Sequence, residues 1–267
     1  MAGADGSAGE LAAVSHADGV SSAAAMFGDA LSRAEQFADL LSGAGVERGI
    51  IGPAEAERIW ERHLLNCGAV APLIPSRASV IDLGSGGGLP GIVLALLLPR
   101  ARLTLLEPLA RRAEFLTECA DVLGLENVDV VRGRAEEMSK ELSGDVVTAR
   151  AVAPLERLSA LSLGLARPGG IVLAIKGASA EAELARALPA MRRLGISDAE
   201  VLRLGGGDDG ASATVVRFTA PAQRKVRTAT ARQDGRGGRG RQNPSLSGTA
   251  GPARAMRGRP NSRRSGG

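Results

Sequence analysis

Aromatic residues are scarce in this chain: four Phe, one Trp and no Tyr among 267 residues. Five rings, at Phe27, Phe37, Trp60, Phe115 and Phe218, are too few for an open platform on which unpaired bases could stack. Any nucleic acid would be recognised through charge and shape, with a target base inserted into a pocket from an exposed loop. Cysteine is equally sparse. Cys67 and Cys119 sit within helical patterns and lack the spacing of a metal-ligand set, which points away from a disulfide framework and a resident metal, and toward a reducing cytoplasm. Long hydrophobic runs are missing too. The longest, Ile92 to Leu98, is far short of the roughly 20 residues that span a bilayer, so no membrane is expected. Residues 1–26 are mostly Ala, Gly and Ser, without the cationic start and apolar centre of a signal peptide. They read as a floppy leader.

Acid is nearly absent from one end of the chain. Residues 221–267 carry twelve Lys or Arg against Asp234 alone, a net of +11, which leaves 21 bases and 28 acids elsewhere, a net of −7. This stretch is dominated by Gly, Ser, Pro and Arg and contains no aromatic residue, so it is expected to be a disordered basic tail. Polyanions are its natural partner, because each neutralised phosphate releases counterions and gives salt-sensitive affinity without sequence preference. Arg224, Lys225 and Arg227 open the tail and are candidate RNA contacts.

The rest of the sequence is patterned. Helical spacing runs from Phe27 to Leu41 and stops at Gly43 to Gly45. A second helix opens at Pro53, with Glu55 and Glu57 in its first turn and Ile59, Trp60, His63, Leu64 and Cys67 on its apolar side. Residues 27–75 therefore form an N-terminal helical cap. From residue 76 to 220, strands are predicted at 79–83, 102–107, 127–132, 145–149, 170–175, 198–204 and 212–218, and helices at 89–98, 109–123, 154–165 and 179–194. Five strands alternate with helices and the last two form a hairpin through Gly205 to Gly210. The fold class is α/β: a doubly wound, Rossmann-like sheet of seven strands with an antiparallel terminal hairpin.

The most informative segment runs from Val80 to Gly91: an apolar strand ends in Asp82-Leu83, turns through Gly84-Ser85-Gly86-Gly87-Gly88, and leads into an apolar helix. Such a turn lets backbone approach a ligand closely in the crevice at the strand carboxyl ends. The next apolar run closes on Glu107, placed to accept hydrogen bonds from a ribose diol. Two cofactors compete. Gly86 to Gly91 fits the dinucleotide pattern GxGxxG, with Glu107 about 20 residues on. Read from Asp82, the same stretch fits DxGxGxG, which resembles the first motif of methyltransferases that use S-adenosylmethionine (SAM). In that class the acid helps hold the cofactor's amino-acid end, and Asp82 tips the balance to SAM.

Further motifs resemble one family, the bacterial 16S rRNA guanine-N7 methyltransferases of the glucose-inhibited division protein B type. They are Glu61-Arg62-His63-Leu64-Leu65-Asn66, the turn ending in Leu89-Pro90-Gly91, Leu105-Leu106-Glu107-Pro108 with Arg111-Arg112 and Phe115-Leu116, Gly133-Arg134-Ala135-Glu136-Glu137, Thr148-Ala149-Arg150-Ala151, and Ala174-Ile175-Lys176-Gly177. The match spans about residues 50–220 and leaves out the leader and the tail; the family often has Asp where Glu107 stands. The resemblance implies that Gly84, Gly86, Gly88 and Leu89 line SAM, Glu107 takes its ribose, and Ala135 and Glu136 flank its adenine. Arg150 would lie beside the methyl donor and the substrate. Lys176, Arg111 and Arg112 are candidate RNA contacts, and the implied partner is 16S rRNA or the 30S subunit, met by a monomer.

The chemistry of that reaction agrees with the residues. Guanine N7 is an in-plane lone pair with no proton to lose, so alignment and desolvation matter more than a general base. Methylating an exocyclic amine calls for acceptors after the fourth strand, where this chain reads Thr148-Ala149-Arg150-Ala151-Val152. Methylating a pyrimidine carbon calls for a cysteine nucleophile, and Cys67 and Cys119 are expected on helices away from the rim. The planar fork of Arg150 suits guanine O6 or phosphate. Three other functions remain open: a nicotinamide-dependent oxidoreductase, a small-metabolite methyltransferase, and a noncatalytic RNA-binding protein. His63 and the strand-end residues Arg150 and Lys176 also admit purely structural roles.

Overall fold

The computed structural model describes residues 22–205 and 212–222. Arg224, Lys225 and Arg227, the tail, most of the leader and the turn expected through Gly210 lie outside the described residues. Seven strands form one sheet: β1 (Ser79–Leu83), β2 (Arg102–Glu107), β3 (Val128–Arg132), β4 (Gly144–Arg150), β5 (Ala166–Lys176), β6 (Glu200–Gly205) and β7 (Ser212–Thr219). Their spatial order is β3-β2-β1-β4-β5-β7-β6. The first five are parallel, while β7 enters antiparallel between β5 and β6. The terminal pair is thus a hairpin, as expected, but its second strand is the one that joins the sheet. The order reverses direction between β1 and β4, and such a switch point opens a crevice at the strand carboxyl ends.

The central strands are apolar on both faces because helices cover both, while the edge strands β3 and β6 carry exposed charges. Val80, Leu103, Leu105, Val146, Leu173 and Ile175 face one core, and Ile81, Leu106, Val147, Val172 and Ala174 face the other, in the alternation that a period-two chain imposes. The first core is closed by the cap together with α4 (Gly91–Leu97) and α5 (Ala110–Val122). The second lies under α6 (Ala135–Met138), α7 (Leu155–Leu165) and α8 (Ala180–Arg193). The sequence pattern showed no helix between β3 and β4; α6 is a single turn, too short for helical periodicity to register. Pro189 lies within α8, which carries Leu184, Ala187 and Met191 into the core. The β5 strand begins four residues before its predicted start, because its pairing with β4 shifts register between Gly144 and Val146.

The cap differs most from expectation. Residues 22–27 are helical and Ala23 is buried, so the last part of the stretch read as leader is packed structure. The first cap helix, α1 (Leu31–Leu40), does not stop at the glycines but runs on through a π turn at Leu41–Gly45. The second breaks into α2 (Pro53–Ala56), a π-helical stretch Ile59–Leu65, and α3 (Asn66–Gly68). Wider π turns are frequent at functional sites. This one carries His63, Leu64 and Leu65 into the core. Phe27 and Trp60 meet edge to face at 6.2 Å, and Asn66 Nδ2 donates to the Ser212 carbonyl at 2.6 Å, pinning the cap to β7. No helix among the described residues is long and apolar enough to cross a membrane.

Candidate active site

The glycine turn leaves β1 and is shaped by two kinds of glycine. Gly84 and Gly86 are partly exposed and have φ of 71° and 57°. At Gly86 an added Cβ would meet nothing nearer than the Gly84 carbonyl at 3.9 Å, so a ligand can approach this backbone directly. Gly88 and Gly91 are instead packing glycines. A Cβ at Gly91 would fall 2.2 Å from Leu105 Cδ2 and 2.7 Å from Asp82 Oδ2, and one at Gly88 would fall 2.6 Å from Ile92 Cγ1. Gly88 therefore packs against the start of α4 on its Cβ side, and the half-buried Leu89 follows it. The turn bonds Gly88 N–H and Leu89 N–H to the Ser85 carbonyl occupy the residues where a helix from residue 89 was expected, and α4 begins at Gly91.

Asp82 lies beneath this turn, 1% exposed. Its Oδ2 accepts from Gly91 N–H at 3.1 Å and its Oδ1 from the Thr148 hydroxyl at 2.9 Å, tying β1 to α4 and β4. The carboxylate is enclosed and holds the shape of the turn. Burial, opposed by the hydrogen bonds, pushes its carboxyl up to about 6. The folded protein thus holds this proton more tightly than the unfolded chain does. Stability from this group is full below pH about 4 and is lost as pH rises through about 6, a difference on the order of 3 kcal/mol. Asp82→Asn can still accept from Gly91 and donate to Thr148, so urea titrations between about pH 4 and pH 7 should show that falling limb in the native chain and a flatter profile in the variant. Equal slopes would refute the assignment.

Glu107 closes β2 and is 2% exposed. Its Oε2 accepts from Gly86 N–H at 2.9 Å and its Oε1 from Leu109 N–H at 3.0 Å. The acid and the turn are therefore joined directly, as their sequence spacing implied. Each carboxylate oxygen keeps lone-pair capacity for further donors such as the hydroxyls of a ribose. Leu109 beside it is 51% exposed, a large apolar side chain at the crevice edge. Ala135 is buried at the start of α6, and the exposed Glu136 pairs with Arg157 at 3.4 Å. Arg111 is exposed near Gly49 of the cap, and Arg112 is half-buried with an Nε–H that has no hydrogen-bond partner.

Strand pairing sets Leu83 opposite Ala149, so Arg150 emerges next to the glycine turn. Ala151, with φ of 55°, turns the chain sharply there, and a Cβ at Gly84 would fall 2.8 Å from Val152 Cγ2. The Arg150 guanidinium points to the cap: Nη1 donates to Cys67 Sγ at 3.2 Å, and Nη2 donates to the Arg62 carbonyl at 3.2 Å and to His63 Nδ1 at 2.6 Å. None of these described partners is a carboxylate. Cys67 was expected away from the rim; the π-helical cap brings it there. It is nevertheless no nucleophile, because burial pushes its thiol up to about 11. Lys176 needs the opposite correction. It reaches the rim as expected, but its side chain is 11% exposed, with the ammonium bonded to Glu183 Oε1 at 2.8 Å and to the Ala153 carbonyl at 3.2 Å. That pair ties β5 to α8 and leaves little cation for RNA. Thr148, His63 and Cys67 are site neighbours that the motifs did not single out as such.

A sheet with an antiparallel β7 inserted beside β5, a glycine turn after β1 and an acid at the end of β2 define a SAM-dependent methyltransferase. The open backbone at Gly86 and the carboxylate of Glu107 fit that cofactor. Residues 30–209 match the family model for rRNA small subunit methyltransferase G, called GidB, and the chain belongs to that family. It is 55% identical over 194 residues to the ribosomal RNA small subunit methyltransferase G of Thermobifida fusca, covering 73% of this chain and 82% of the relative. The protein of the same name from Streptomyces avermitilis is 52% identical over 193 residues, covering 72% and 81%. Membership resolves the competition between the two glycine patterns in favour of SAM.

Proposed function

We propose that this enzyme, acting as a cytoplasmic monomer, methylates N7 of a guanine in 16S rRNA. The observation that carries the reading is Arg150, half-buried beside the glycine turn, whose guanidinium is held by three neutral acceptors among the described residues. Among the described residues no carboxylate bonds to it, and a guanidinium so held suits an electron-rich edge such as guanine O6, or a phosphate. When bound, SAM supplies a methyl group on a sulfonium. The chain supplies alignment: Glu107 and the turn hold the ribose side, and Arg150 orients the base from O6 while N7 stays unbonded. Guanine N7 carries a lone pair and no proton, so these residues would have to align and desolvate the base and none would have to accept a proton. The resemblance assigns Ala135 and Glu136 to the adenine, and Arg111, exposed near the cap, is a candidate RNA contact.

The decisive experiment incubates pure protein with isotope-labelled SAM and either 30S subunits or bare 16S rRNA, then identifies the modified nucleoside by mass spectrometry. N7-methylguanosine at one position supports the proposal; label on an amine or a pyrimidine carbon, or in no RNA, removes it. The basic stretch after residue 220 would add nonspecific affinity through Arg224, Lys225, Arg227 and the arginines that follow. Deleting residues 221–267 should flatten the dependence of log K on log salt markedly, since the slope scales with the number of phosphates neutralised. An unchanged slope would mean that the tail touches no RNA.

A further inference from the structure

We infer that His63 is the positioning residue that sets the Arg150 guanidinium at the substrate rim. The inference rests on the proposed role of Arg150 as the contact to the target base. An arginine can only donate, so the 2.6 Å contact makes His63 Nδ1 the acceptor and fixes the ring as the neutral tautomer with hydrogen on Nε2. The surroundings enforce neutrality. His63 is 3% exposed, and burial first, then the cation of Arg150, push its pKa down to about 4. Glu55, the nearest acid, stays 4.0 Å from Nε2 and is itself bonded to the Gly52 N–H at the start of α2. Nε2 has no hydrogen-bond partner, an orphaned buried donor in a site whose other nitrogen is fully used.

That orphan marks where the geometry is being spent. An exposed ion pair between Arg150 and a carboxylate would have held the guanidinium more strongly, but would have cancelled the charge that a guanine edge or a phosphate needs. Neutral acceptors, His63 Nδ1, the Arg62 carbonyl and Cys67 Sγ, fix direction without cancelling charge. Of the three, His63 makes the shortest contact, and it stands on the π-helical stretch that leads into the turn carrying Cys67. The cap thereby reaches into the reaction: a segment that precedes the sheet decides how a β4 side chain meets the base.

The test uses the full-length protein and three substitutions. His63→Asn puts an amide oxygen close to the place of Nδ1, His63→Phe fills the space without an acceptor, and Arg150→Ala removes the group being positioned. In single-turnover transfer to 30S subunits or 16S rRNA, His63→Phe should slow methylation about tenfold or more, the loss of one hydrogen bond to a charged group. Calorimetry should find SAM binding within about twofold of the native protein, and His63→Asn should recover most of the rate. Adding His63→Phe to Arg150→Ala should cost nothing further, since the two act as one unit. Equal losses in His63→Asn and His63→Phe, or a full additional loss on the Arg150→Ala background, would overturn the inference in favour of simple packing. Nitrogen NMR of the His63 ring provides a reading that needs no RNA: an unprotonated Nδ1 whose shift moves in Arg150→Ala is expected, and a protonated Nδ1 refutes the contact. If that coupling stands while the native enzyme leaves guanine N7 unmodified, the functional reading fails and the pair remains.

Discussion

Replacing Glu107 with Ala should weaken SAM binding by about two to three orders of magnitude. Hydrogen bonds to a charged acceptor contribute about 1.5–3 kcal/mol each, and a ribose diol can make two of them to this carboxylate. The loss has a second source in the turn itself. Glu107 holds Gly86 N–H at 2.9 Å and Leu109 N–H at 3.0 Å, so the empty carboxylate position leaves two backbone donors at the crevice without their acceptor. Glu107→Gln separates the two sources, because the amide keeps one acceptor for the turn but presents a donor where the ribose needs an acceptor. Calorimetry should rank native above Gln above Ala. An affinity for SAM unchanged in Glu107→Ala would remove the ribose contact from the site and with it the reading of β2's terminal acid.

The second large effect is expected from Arg150→Ala: a fall of about 100-fold or more in methyl transfer, with SAM affinity changed by no more than a few-fold. Removing one preorganised donor from a desolvated site costs about 2.7–4 kcal/mol in transition-state stabilisation. Arg150 is half-buried and already oriented by three acceptors, so little reorganisation is needed when the base arrives. Arg150→Lys should not rescue, because a single ammonium cannot reproduce the fork that meets two acceptors at once. The substitution has a measurable signature apart from rate. Loss of a nearby cation should raise the His63 pKa from its depressed value of about 4 toward the ordinary histidine range, and ring titration followed by NMR would show it. Full activity in Arg150→Ala would sink the proposed contact to guanine.

Much of this site was legible without coordinates because it is local in sequence. The turn after β1 needs residues at positive φ and others without a Cβ at the packing contacts, so Gly84, Gly86, Gly88 and Gly91 appear as a run. The acid at the end of β2 is placed by strand period and the fixed length of a βα unit. What escaped is nonlocal. Asp82 read as a cofactor ligand because its spacing is that of the motif; only packing shows that it also ties the turn to α4 and β4 through Gly91 and Thr148. Lys176 read as a rim cation because it ends a strand, and Glu183, seven residues on, neutralises it. Cys67 and His63 escaped for a different reason: helical spacing put both on the buried side of the cap, as found, but nothing along the chain shows that this side meets Arg150 at the end of β4.

The sequence by itself determined the class of fold, the glycine turn, the paired acids Asp82 and Glu107, and the family, because each depends on residue type at short, fixed spacings. Tertiary structure alone decided which of those groups face a ligand and which are consumed by the protein. It placed β7 between β5 and β6, buried Asp82 beneath its turn, and swung the cap so that His63 and Cys67, more than eighty residues before Arg150 in the chain, became its hydrogen-bond partners. Burial and hydrogen-bond partnership are properties of distance in space, and packing two faces of a sheet brings together residues that no periodicity along the chain connects.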